Sequence, residues 1–165
     1  MDDSILKSLD DSEPHIIDFP GTILYGLKRT VTMKTLKGAL ESLIPTILCY
    51  VKFSSDSSLY VIYGNHNMDK DGQFDCWVAL NDFNLQDTKG IEEIVFRAGK
   101  TVRYVHKGCY EDLSVAWNTA MTFIKDNNLE VVDNCFEKYD NSPEVVMDDS
   151  ELHTELYFPV ESISP

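Results

Sequence analysis

An α+β fold built from two copies of a β-α-β-β module is the architecture this sequence predicts, and three observations predict it. Apolar residues recur at helical spacing in two stretches, Met33–Val51 and Glu111–Asn127. Runs rich in β-branched and aromatic residues, punctuated by Gly, Asn and Pro, flank both stretches. The order strand, helix, strand, strand occurs twice, and laying Tyr63 over Tyr139 places Val61 over Glu137. Residue identity between the halves is low, as in a worn duplication. Two such modules can join their strands into one antiparallel sheet with both helices on one face. The junction between them is a natural place for a ligand.

The elements follow in order. Residues 1–13 carry five acids and one lysine and read as a flexible lead-in. Residues 14–161 form a single domain, with modules over about 14–83 and 91–161. His15–Thr32 is extended, β-branched chain broken at Pro20-Gly21. In the first helix Leu36, Leu40, Leu43, Ile47 and Val51 share a face, and Pro45 inside the pattern predicts a kink or a restart. Strands at Ser58–Gly64 and Phe74–Phe83 are joined by the polar segment Asn65–Gln73. Glu92–Gly108 is extended and bends at Ala98-Gly99-Lys100. The second helix opens on Glu111 and Asp112 and ends on Lys125 followed by Asn127-Asn128, which suits the two ends of a helix dipole. Leu113, Trp117, Ala120 and Ile124 line its apolar stripe, widened by Ala116 and Phe123. Strands at Cys135–Tyr139 and Thr154–Val160 close the chain, separated by an acidic loop.

A chain of 165 residues is long enough for one well-buried core, and its 43% hydrophobic and 25% charged composition is ordinary for a globular protein. Fourteen basic residues against twenty-eight acidic ones leave a net charge of −14. That surface repels phosphate backbones and anionic membranes, and it concentrates cations near any pocket mouth. No apolar run is long enough for a signal peptide or a membrane span. Cys49, Cys76, Cys109 and Cys135 show no CxxC pair and read as free thiols of a cytoplasmic protein, although four cysteines could also make two disulfides.

The segment CFEKY poses a chemical question. In an extended chain Cys135, Glu137 and Tyr139 share one face, so an acid stands between a thiol and a phenol. Most glutamates face water. Around this one the sequence offers rings at Tyr110, Trp117, Tyr139 and Tyr157. Such rings present negative π-faces and apolar area to a flat cation, and a carboxylate among them adds Coulomb attraction. Burial of that carboxylate is costly, so in an empty site it should either raise its pKa or be held by tyrosine hydroxyls. Tyr60, Tyr63 and Trp77 of the first module could form an opposite wall, with Met33 and Met121 as adaptable lining. Core packing is the plainer reading of these five.

HKGCYEDLSVAW, FEKYDNSP and TELYFPV together resemble the GyrI-like or AraC-type effector-binding domain, which also forms the multidrug-binding part of MerR-type regulators. The pattern is carried by His106, Gly108, Tyr110, Ala116-Trp117, Glu137, Tyr139 and Thr154–Val160, four separated pieces in the right order. The first half matches more loosely, through Gly26–Arg29 and its strands. The resemblance implies a curved sheet of two exchanged modules with a hydrophobic groove between the helices. It also implies that Glu137 lies in that groove among aromatic rings and receives lipophilic, cationic compounds. Regulators of this kind carry a DNA-binding helix-turn-helix, for which this chain has no room. A sensor or sequestering protein is therefore expected, with no direct contact to nucleic acid.

Two other functions compete. Some relatives hydrolyse strained electrophiles, and Glu137 could serve as their general base. Others bind and inhibit a protein target. Remaining motifs point elsewhere only weakly. Asn67, Asp69, Asp71, Gly72 and Asp75 imitate the start of an EF-hand, but Val78 replaces the glutamate that should close it, and a hairpin with an Asp-Gly turn explains the run. His15, His66, His106 and His153 lack zinc-ligand spacing. No nucleophile elbow, P-loop or dinucleotide fingerprint occurs, so neither metal nor cofactor is expected.

Overall fold

Nine strands and two α-helices follow one another in the computed structural model, which describes residues 13–49, 58–64, 72–81, 90–140 and 148–163. They fall into two compact units whose strands are exchanged relative to the sequence halves. In one unit β1 (His15–Phe19) pairs antiparallel with β6 (Gly99–Lys107), β6 with β9 (His153–Ser162), and β9 with β8 (Cys135–Tyr139). Short β7 (Leu129–Val131) pairs with the far end of β9. In the other unit the order is β3 (Leu59–Tyr63), β4 (Phe74–Leu80), β2 (Thr22–Val31) and β5 (Glu92–Phe96), again antiparallel throughout. Each unit carries one helix, α1 (Leu36–Cys49) with β2–β5 and α2 (Leu113–Asp126) with β6–β9. The α+β class expected from the sequence is the class observed.

The apolar stripes decide which faces are buried. On α2 it is Ala116, Ala120 and Ile124 that disappear against Val102, Cys135, Leu156, Phe158 and Val160. Leu113, Trp117 and Phe123 flank that contact half-buried. Two alanines at the centre of the stripe let the helix lie close to the sheet, which matters for what Trp117 can reach. On α1, Leu43 and Ile47 pack on Val78 and Leu80, with Leu27, Leu40, Ile44 and Leu59 around them. Each aliphatic side chain so buried contributes about 1.5–3 kcal/mol.

Of the kink or restart expected at Pro45, the restart does not occur: α1 runs through it from Leu36 to Cys49. Both Pro45 and Glu41, whose carbonyl loses its helical donor, are exposed, so water can take the freed carbonyl. Leu43 and Ile47 anchor the turns on either side. The helix begins at Leu36 rather than Met33 because Thr32 to Thr35 form its entry turn: Leu36 N–H donates to the Thr32 carbonyl at 2.9 Å, and Thr32 N–H to the Thr35 hydroxyl at 2.9 Å. Val51 lies outside the described residues. β7 was not expected from the sequence. Its three residues follow Asn128, which sits at φ 56° and turns the chain back from the helix end.

Pleating gives β8 and β9 two chemically different faces. Away from α2, Glu155 is 7% exposed and accepts from Arg103 Nη2 at 2.8 Å, Arg103 Nε at 3.1 Å and the Tyr157 hydroxyl at 2.6 Å. Lys138 Nζ stands 3.8 Å from its second oxygen. Phe136 stacks on Tyr157 at 4.7 Å, and Phe19 closes on both rings at 5.8 Å. Burial pushes the Glu155 carboxyl up, but hydrogen bonds with Asp140, Tyr157 and Arg103 outweigh it and hold the pKa at about 2. Asp140 is driven the opposite way by partial burial of its carboxyl and by the hydrogen bond to, and charge of, Glu155. The network ties β6, β8 and β9 together behind the helix-facing surface.

The architecture predicts the stability of three variants. A glutamate whose folded pKa lies below its unfolded value stabilises above pH 4.5 and loses that contribution as pH falls toward 2. Glu155→Gln should cost about 3 kcal/mol at neutral pH, as breaking a largely buried ion pair does. In urea titrations the gap from wild type should narrow between pH 4.5 and the acid limit; a gap that ignores pH contradicts the assignment. Gly26 stands opposite Ala79 where β2 and β4 approach closely, and a Cβ there would meet the Val78 carbonyl at 2.6 Å and the Ala79 Cβ at 2.8 Å. Gly26→Ala should therefore destabilise by about 1–3 kcal/mol. Gly38→Ala, on the open side of α1, should stabilise by about 0.5–1 kcal/mol.

Candidate functional site

The pleat that sends Lys138 and Phe136 to one side of β8 sends Cys135, Glu137 and Tyr139 to the side covered by α2. Register confirms the arrangement: Glu137 stands opposite Leu156, and Tyr139 opposite Thr154. Leu156 and Cys135 are part of the core beneath the helix. Glu137 is 2% exposed in these surroundings. Its carboxyl accepts from the Trp117 indole Nε1 at 2.6 Å and from the Tyr139 hydroxyl at 2.5 Å.

Local structure explains both donors. Trp117 follows Ala116 on the helix, and its ring meets Phe158 edge-on at 4.9 Å and 78°, which fixes the direction of the indole N–H. Tyr139 lies two residues beyond Glu137 on the same strand face, so its ring runs beside the carboxyl. Tyr110 comes from the 3-10 turn Tyr110–Asp112 that leads into α2, and meets the Tyr139 ring edge-on at 5.5 Å and 81°. The turn before it is held by Gly108, whose N–H donates to the Leu152 carbonyl at 2.9 Å. His106 Nε2 lies 2.8 Å from the Cys109 carbonyl. Tyr110 is 37% exposed and forms a rim, while Trp117 and Tyr139 are half-buried.

Short hydrogen bonds of this kind stabilise the ionised form of a carboxyl. Both donors are neutral, so Trp117, Tyr139 and an ionised Glu137 together carry one negative charge. Of the two outcomes expected for an acid in this place, tyrosine support is present, and an indole N–H joins it. Cys135, two residues away, is no nucleophile: burial, then the charge of Asp133, push its thiol up to about 12. Thr154, beside Tyr139 in the ladder, is wholly buried, and its hydroxyl oxygen has no hydrogen-bond partner among the described residues.

Not every ring expected near Glu137 is there. Tyr157 belongs to the opposite face of β9, stacked on Phe136 and donating to Glu155. The reason is the period of the strand, since Tyr157 is one residue from Leu156, which faces the helix. Tyr60, Tyr63, Trp77 and Met33 belong to the other unit, Met121 to that of Glu137. Tyr60 is buried on the face of β3 away from α1. Trp77 shares that face, donating from Nε1 to Glu92 at 2.7 Å with Lys28 Nζ 5.8 Å from its ring centre. Tyr63 packs against Phe74 at 6.5 Å. Met33 is 70% exposed in the turn before α1, and Met121 is 43% exposed on α2.

Three residues escaped sequence reasoning. Arg103 and Glu155 could have been found by reading alternation in TVRYV and TELYF together, which puts an arginine, a glutamate and a tyrosine on one face. Thr154 carried no such signal, because β-branched residues are ordinary strand formers. Among the described residues no cluster of three or more His, Cys, Asp or Glu side chains could hold a metal ion. Asn67, Asp69 and Asp71 of the calcium-like run lie outside the described residues. Asp75, which is described, accepts the Thr30 hydroxyl at 2.9 Å and stands 3.8 Å from Lys28. Cys109 and Cys135 are free thiols, and no helix among the described residues is long and apolar enough to cross a membrane.

Known structures share this fold. The C-terminal domain of EcmrR superposes with a TM-score of 0.69 at 21% identity, over 92% of this chain and 98% of that one. The chain spans 63% of EcmrR as seen in its complex with DNA. SAV2435 bound to tetraphenylphosphonium gives a TM-score of 0.69 at 15% identity, covering 90% and 94% of the two chains. A hydrolase from Listeria innocua gives 0.58 at 13%, covering 96% and 98%. At such identities the likeness is one of fold. No curated protein matches the chain in sequence. The GyrI-like small molecule binding domain, however, matches residues 12–161, nearly the whole chain, and the protein belongs to that family.

Proposed function

We propose that the protein binds lipophilic cations, with Glu137 as their counter-ion and Trp117, Tyr139 and Tyr110 as the rings against which they lie, and that it acts as a sensor or sequestering protein. The observation that carries this reading is the 2% exposure of a carboxyl held by two neutral donors. Desolvating an acid is the costly step in forming a buried ion pair, and here folding has already taken it. A cation 4 Å away at an effective dielectric of 20 would gain about 4 kcal/mol. Each ring face adds about 0.5–2 kcal/mol. Neither contribution is strongly directional, so ligands of different outline would be accepted. Tetraphenylphosphonium, found in the similarly folded SAV2435, has this chemistry. The net charge of −14 favours cations and disfavours nucleic acid as a direct partner.

A second reading is favoured by one observation, the shared fold with a Listeria innocua hydrolase. Glu137 would then take a proton from water while the water oxygen attacks a carbon of a strained ring, the ring's carbon–heteroatom bond breaks, and the released heteroatom receives the proton back from Glu137.

Titration with tetraphenylphosphonium, followed by indole fluorescence, should saturate in wild type. Glu137→Gln, which keeps shape and removes charge, should weaken binding at least tenfold, whereas Glu92→Gln in the other unit should leave it unchanged. Equal affinity for wild type and Glu137→Gln contradicts the counter-ion role. Incubation with a simple epoxide separates the second reading. Turnover that Glu137→Gln abolishes, with substrate affinity kept, would establish the base; no turnover removes it.

A further inference from the structure

We infer that Thr154 is a second polar contact of the same site, one that selects cations bearing a hydrogen-bonding group over cations bearing none. The inference rests on the cation reading and adds a specificity-determining residue to it. Thr154 is 0% exposed and its Oγ1 has no hydrogen-bond partner among the described residues. A buried hydroxyl left in that state costs about 1–3 kcal/mol, a penalty that a native fold normally avoids. Its position gives the penalty a meaning. Thr154 faces Tyr139 across the β8–β9 ladder and His106 across the β6–β9 ladder. Side chains paired in this way lie on one face with Cβ atoms about 4.5–5.5 Å apart. The orphan oxygen therefore lies on the Glu137 side of the sheet, next to the ring that donates to Glu137.

Tyr139, the ladder neighbour of Thr154, is also a support of Glu137. When a cation takes the place of the Tyr139 hydroxyl at Glu137 Oε1, that ring gives up its 2.5 Å bond to Glu137. It can then turn about its side-chain bonds and open a path to Thr154. A ligand amine reaching in would give the hydroxyl the partner it lacks. A ligand with only hydrocarbon around its charge would bind through Glu137 and the rings alone.

The test uses calorimetry on the full chain with three permanently charged compounds: ethidium, its phenanthridinium analogue without the two ring amines, and tetraphenylphosphonium. Thr154→Val replaces the hydroxyl by a methyl group of nearly the same shape, and Thr154→Ser keeps it. Thr154→Val should weaken ethidium about three- to tenfold and change the other two less than twofold, with Thr154→Ser close to wild type for all three. A uniform loss, or none for ethidium, overturns the inference while leaving the cation reading in place. Wild type that binds none of the three compounds overturns both. Thermal unfolding of the ligand-free proteins is the second readout. Thr154→Val should melt at or above the wild-type temperature, because it removes an unsatisfied group. A drop of several degrees would show that the hydroxyl is satisfied within the fold, and would also overturn the inference.

Discussion

A carboxyl group with two hydrogen bonds and almost no access to water is the constraint around which this protein is organised. The Trp117 indole and the Tyr139 hydroxyl both donate to Glu137 there. Each donor depends on a different part of the chain. The indole needs α2 to lie close to the sheet, which Ala116 and Ala120 permit, and needs Phe158 to hold the ring. The hydroxyl needs β8 to keep its register on β9, since a slip of one residue would turn Glu137 and Tyr139 to the other face. Folding and site formation are thus the same event on this surface.

Register in turn is guarded from behind. Arg103, Lys138 and Tyr157 converge on Glu155, and three rings seal one side of that cluster. A charged network is a poor source of net stability but a strong determinant of which strands pair and how. Here it joins β6, β8 and β9, the strands that carry His106, Glu137, Tyr139 and Thr154. The two faces divide the labour. One face holds its acid with basic groups and fixes the ladder, and the other holds its acid with the Trp117 and Tyr139 donors, where the proposed cation would bind.

Much of this was legible in the sequence. The two helical periods located α1 and α2, and strand alternation within CFEKY put Cys135, Glu137 and Tyr139 on one face. Spacing alone could not decide whether that face looked inward; the likeness of HKGCYEDLSVAW, FEKYDNSP and TELYFPV to a known pattern decided it. Tyr157 was misplaced because a motif gives order along the chain, whereas a pleat gives sides, and one residue separates Tyr157 from Leu156. Pro45 did not restart the helix because a proline's effect depends on whether the freed carbonyl can reach water, which sequence does not display. The exchange of β1 and β5 between units was invisible locally, since it depends on which distant strand each one meets. The orphan hydroxyl of Thr154 was invisible too, because an absent partner leaves no mark in composition or period.

The central claim is that a positive charge comes to rest beside Glu137, and a crystal structure of the protein soaked with tetraphenylphosphonium tests it most directly. The account predicts phosphorus within about 6 Å of the Glu137 carboxyl, phenyl groups on Trp117 and Tyr139, and the Tyr139 hydroxyl moved off Oε1. Density for the cation on another surface, with the Trp117 and Tyr139 bonds to Glu137 undisturbed, would contradict it.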